Sequence, residues 1–87
     1  MTDTEQLWLV ERTYTDRDIV VLVYATPEGD RRRRKELAST MLQRTTVTAA
    51  IEADPDQLEP VDDEATRERY ATEVERVRTD YDPNDPI

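Results

Sequence analysis

The sequence contains no cysteine, no histidine and no phenylalanine, and only one glycine among its 87 residues. Each absence closes a class of function. Without a thiol there is no disulfide framework, no zinc ribbon and no cysteine nucleophile. Without an imidazole there is no histidine base, no histidine-containing triad and no histidine metal ligand. A single glycine leaves no glycine-rich loop to cradle a phosphate. The longest unbroken apolar run, Ile19 to Ala25, is far short of the ~20 residues that span a bilayer. The opening residues, Met1 to Glu5, are polar and acidic, which is unlike a secretory leader. The expectation is therefore a cytoplasmic, non-enzymatic chain with no cofactor and no bound metal.

Acidic charge is what the sequence has in abundance: 21 acidic side chains against 12 basic ones, a net charge of −9. The cations are all arginine except Lys35. Self-repulsion at this charge opposes compaction in dilute buffer. At molar salt the Debye length falls to about 3 Å and most of that repulsion is screened. The composition is therefore read as that of a protein adapted to a high-salt cytoplasm. An ordinary acidic domain or an acidic disordered segment is the plain alternative.

Two patterned stretches argue against disorder. Residues 6–14 and 19–25 read as strands, the second a dense β-branched run. A simple hairpin through the polar residues 15–18 would set Tyr14 opposite Ile19, Arg12 opposite Val21, Val10 opposite Val23 and Trp8 opposite Ala25. One face would carry Trp8, Val10, Tyr14, Ile19, Val21, Val23 and Ala25, interrupted only by Arg12. The other would carry Leu7, Leu9, Val20, Leu22 and Tyr24, with Glu11 and Thr13 toward the turn. The second strand is thus apolar on both sides, the mark of a strand covered on both faces.

Pro27 and Gly29 mark a tight turn. The run Arg31-Arg32-Arg33-Arg34-Lys35 then reads as a third strand over 30–36, because five cations at a helix start would oppose the helix dipole. A helix from this run to Arg44 is the alternative. A short helix is expected over 37–43, with Leu37, Met41 and Leu42 on one stripe. Alternation over 46–53 reads as a half-buried strand, and residues 54–60, with two prolines, read as a connector. A C-terminal amphipathic helix over 62–80 opens on acidic residues and carries Tyr70, Val74, Val77 and Tyr81 on one stripe. The sum is a single α+β domain over 1–82, a sheet of three to four antiparallel strands with two helices, followed by a frayed tail over 83–87.

Three features invite functional readings. The run Arg31, Arg32, Arg33, Arg34 and Lys35 could bind nucleic acid or another polyanion. Against this, the remainder of the chain is more acidic still, and counterion release is weakest in high salt. The competing reading pairs these cations with the protein's own carboxylates and rings. Leu7, Leu9, Val20 and Leu22 could form a contact surface for a protein partner or a second copy, since a small domain seldom covers both faces of a sheet. The alternative is that the short helix covers them. The acidic clusters Asp54/Asp56 and Asp62/Asp63/Glu64 lack the loop spacing of a calcium site and read as solvated acids with a helix cap among them. Ser39 and Lys35 have no recognisable oxyanion partner, so no catalytic residue is assigned.

The stretches Trp8-Leu9-Val10-Glu11-Arg12-Thr13-Tyr14, Tyr24-Ala25-Thr26-Pro27-Glu28-Gly29 and Glu68-Arg69-Tyr70-Ala71 resemble those of small acidic proteins of halophilic archaea. The resemblance covers most of the chain. It implies a high-salt source and a cytoplasmic location, and it carries no site residue with it. The leading expectation is a protein–protein interaction module, with a homodimer contact among its forms; nucleic-acid binding through Arg31 to Lys35 is the alternative.

Overall fold

The computed structural model describes residues 3–15, 17–42 and 44–87; the side chain of Leu42 lies outside that description. The expected turn at Asp16 and the expected helix end at Gln43 fall outside it as well. The fold is α+β. Its strands are β1 (Glu5–Tyr14), β2 (Ile19–Ala25), β3 (Arg31–Ala38), β4 (Ala50–Ala53) and β5 (Glu59–Pro60). Its helices are α1 (Ser39–Leu42) and α2 (Glu64–Asp80). The strands form one antiparallel sheet in the order β4-β1-β2-β3-β5.

The basic run is a strand, as the helix-dipole argument requires, and β2 lies at the centre of the sheet. β5 is a fifth strand inside the expected connector. Its two residues pair with Arg31 and Arg32. β4 is shorter than the expected strand over 46–53, and within residues 46–49 only Thr48 forms a bridge, to Pro86.

The hairpin register departs from the simple one. Trp8 faces Ala25 as expected, but Glu11 faces Val23 and Arg12 faces Leu22, because a β-bulge lies between Leu9 and Glu11. Val10 is the extra residue. A bulge of one residue exchanges the two faces of everything beyond it. Glu11 thereby reaches the helix side, where it pairs with Arg69 at 3.6 Å. Arg12 moves to the opposite side, where its Nη2 donates to the main-chain oxygen of Ile87 at 2.7 Å.

Both sides of β2 are buried within one chain. On one side, Trp8, Val21, Val23 and Ala25 pack with Tyr70, Val74 and Val77 of α2, so the helix stripe is buried as its spacing predicts. On the other, Leu7, Leu9, Val20, Leu22 and Tyr24 pack with Ala53, Leu37, Val47, Ile51 and Leu58. The short helix is not the chief cover of this side. The sheet curls instead. β4 and β5 are its opposite edges, yet only residues 54–58 separate them in the chain. Five flat strands would set those edges about 19 Å apart. A connector containing a 3-10 turn at Pro55–Gln57 reaches roughly 16 Å. The connector therefore spans the curled face and lays Leu58 over Tyr24's side of the sheet.

Two further contacts close the fold. Gly29, at φ +72°, lies directly on α2: a Cβ there would stand 2.9 Å from the Ala71 nitrogen and closer still to the Arg67 carbonyl oxygen. The tail expected to fray over 83–87 runs beside residues 47–50. Ala50 N donates to Pro83 O, Ala49 N to Asp85 O and Ile87 N to Val47 O, at 2.9–3.0 Å. Burial of Ile87 against both apolar clusters gives this segment its reason to dock. No helix in the described residues is long and apolar enough to cross a membrane.

Candidate interaction edge

Placing the basic run on a strand divides it between two faces. Arg33 and Lys35 face the side of Tyr24 and Leu22; Arg32, Arg34 and Glu36 face the side of Ala25, Val23 and Val21. Internal partners take up most of the charge. Arg31 forms an ion pair with Glu5, and Arg33 donates to Gln57 on the β4–β5 connector. Arg34 pairs with Glu36 at 3.2 Å. Arg32 donates to the Tyr70 hydroxyl at 3.3 Å and lies 4.0 Å from Glu59, which ties β3 to α2 and β5. Among the described residues, Lys35 alone of the five forms no ion pair or side-chain hydrogen bond. The run is therefore not one continuous cationic face.

Leu7, Leu9, Val20 and Leu22 occupy the interior of the second apolar cluster. Leu7 and Val20 are 0% exposed and Leu22 is 1% exposed in the single chain. Leu37 of β3, Ile51 and Ala53 of β4 and Leu58 of the connector cover them. A partner would reach these side chains only by displacing that cover, because the curl buries what a flat sheet would expose. Their neighbour Tyr24 has its phenol pushed above the ordinary tyrosine range by burial, an effect that the Arg12 guanidinium partly offsets.

The acids are otherwise engaged or dispersed. Asp63 is the N-cap of α2 and accepts from Thr66 N at 2.9 Å and from Thr66 Oγ1 at 2.6 Å. These bonds, side chain first, hold its carboxyl below the ordinary carboxylate range. Among the described residues no three acidic side chains converge into a metal site. A polar recess of about 400 Å³ lies where the β2–β3 turn meets β1, lined by Glu5, Thr26, Glu28, Asp30 and Arg31 among others. Two pairs engage part of its polar lining: Arg31 holds Glu5 through Oε1, and Thr26 Oγ1 donates to Asp30 at 2.7 Å, while Glu5 Oε2 is buried without a partner.

Beside the buried Glu5 Oε2 and Arg32 Nε, backbone groups also lack partners. Thr26 N donates to Arg31 O, and Ser39 N to Asp18 O, so odd-numbered residues of β3 turn their main-chain groups toward β2. Even-numbered residues turn theirs outward; Asp30 O accordingly accepts from Val61 N on the far side. β5 covers that outer edge only at Arg31 and Arg32. Beyond it, among the described residues, the outward N–H and C=O groups of Arg34 and Glu36 have no partner strand, and both residues are exposed. α2 packs chiefly on β1 and β2 and reaches β3 through the Tyr70 hydroxyl at Arg32. The sequence signalled a charged edge strand; it held no signal for which backbone groups point outward, because β5 was not legible.

No curated protein and no solved structure matches this chain. A family model does match, over residues 1–87, and takes in every element that builds the curled sheet and its open edge: the chain belongs to a family of unknown function, DUF7967.

Proposed function

We propose that the protein is a non-enzymatic protein–protein interaction module of a high-salt cytoplasm, and that it meets its partner along the outer edge of β3. The observation that carries this reading is the unpaired main chain at Arg34 and Glu36 on a strand otherwise held firmly in a sheet. An exposed edge is a template for strand addition, with main-chain hydrogen bonds supplying affinity and alternate side chains supplying selectivity. The net charge of −9 supports the high-salt setting, since screening there removes the long-range repulsion that opposes approach of another acidic protein. The division of the arginine run between faces, and its internal pairing, weigh against polyanion binding.

Extended peptides titrated against the wild type and against Glu36→Pro in molar KCl test this reading. The proline removes one outward N–H and leaves the bonds to β2 in place. Binding by the wild type that is lost in the variant, with an unchanged melting curve, is the expected result. Absence of peptide binding by a chain that also stays monomeric, or binding indifferent to the proline, overturns it. Oligonucleotide binding in the same salt that is lost in an Arg33→Ser, Arg34→Ser variant would transfer the function to polyanions.

A further inference from the structure

We infer that the occupant of the β3 edge is a second copy of this chain, paired antiparallel about a two-fold axis at Lys35. The inference rests on the reading of that edge as the contact surface. Three observations select this occupant and this register. The free stretch begins after Arg32, where β5 ends, and closes at Ala38, where the chain turns into α1. Its central residues run from Arg33 to Leu37, with Lys35 at their midpoint. The outward main-chain groups belong to even-numbered residues, so an antiparallel mate that bonds must set even against even. Of the registers this allows, one centred on Arg34 sets arginine against arginine, and one centred on Glu36 sets glutamate against glutamate. The register centred on Lys35 sets Arg34 against Glu36 of the mate, twice. Arg34 and Glu36 already lie together at 3.2 Å on one side of the strand, so the dyad would interleave two ion pairs into one four-residue group.

The same register sets Lys35 against the mate's Lys35 on the opposite side of the sheet, beside Arg33 and Leu37. Like charges face to face destabilise a cross-strand pair. Together with the repulsion between two copies at −9 each, they hold the chains apart in dilute buffer and lose most of this effect in molar salt. Association is therefore expected to strengthen as salt rises, the reverse of what binding by ion pairs alone would give.

Sedimentation equilibrium of the full chain across a KCl series, with a short amine-to-amine cross-linker as a second readout, tests the inference. Lys35 is the chain's single lysine, so the expected dimer yields a homotypic Lys35–Lys35 cross-link. Glu36→Arg is expected to weaken the dimer by about tenfold or more, and Arg34→Glu combined with Glu36→Arg to restore it to within about threefold, because the swapped pair complements itself again. A strict monomer at millimolar protein in molar KCl overturns the inference, as does a dimer indifferent to both variants. If peptides still bind the edge in a proline-sensitive way while the chain stays monomeric, the edge reading stands and the occupant is a different protein. If neither occurs, both fall.

Discussion

Gly29 does at one position what no other residue type can. Its φ of +72° suits glycine, and its missing Cβ lets the β2–β3 turn lie on the backbone of α2 at Arg67 and Ala71. Gly29→Ala must strain the turn or lift it off the helix, at a cost of about 2 kcal/mol or more. Chemical denaturation in molar KCl would read this as a lower midpoint. The sequence marked this glycine as a turn residue; the helix above it was not legible, because the contact joins distant parts of the chain. Asp63 carries a pH-dependent contribution. Its carboxyl is held below the ordinary carboxylate range by Thr66. The folded state therefore binds that proton more weakly than the unfolded chain does, and the stabilisation is complete above the ordinary carboxylate range, declines as pH falls through it and is lost below the depressed folded value. Asp63→Ala should lower the melting midpoint at neutral pH, and the gap from the wild type should close in acid. A gap that persists unchanged there would contradict the cap's role.

At the scale of elements, β2 is the strand on which both apolar clusters converge. Val21 lies under α2 with Val74 and Val77. Val21→Asp would bury an unpaired carboxylate, costing on the order of 3–5 kcal/mol against a total stability of about 5–15 kcal/mol. The expected outcome is a large fall in the melting midpoint by circular dichroism, and an unchanged midpoint would contradict the assignment. β2, the strand character of Arg31 to Lys35, and the stripe of α2 were legible because local pattern and dipole physics decide them. The bulge at Val10 was not. Placing Glu11 beside Arg69 and Arg12 away from the helix is a choice made by the assembled faces. β5 was illegible for a related reason: two residues, one of them proline, form a strand only because β3 lies alongside. That omission hid the candidate site, since the extent of β5 determines where the open edge begins. The apolar set Leu7, Leu9, Val20 and Leu22 was correctly recognised as needing cover, and the curl of the sheet supplies that cover within the chain.

At the scale of the molecule, an acidic surface adjoins a short open edge. The surface charge disfavours any acidic neighbour in dilute buffer, and screening reverses that preference. The melting midpoint should accordingly rise with KCl, steeply up to about 1 M, where the Debye length has already fallen to ~3 Å. A midpoint flat across that range would remove the high-salt argument. The central claim is that Arg34 and Glu36 hold their main-chain groups open for a partner strand. Amide hydrogen exchange resolved by residue tests it most directly, in molar KCl at low and high protein concentration. Arg33 and Lys35 are expected to be protected throughout by β2, whereas Arg34 and Glu36 exchange freely when dilute and become protected as concentration rises. Protection of Arg34 and Glu36 in the dilute chain would show that the edge is already closed, and would contradict the account.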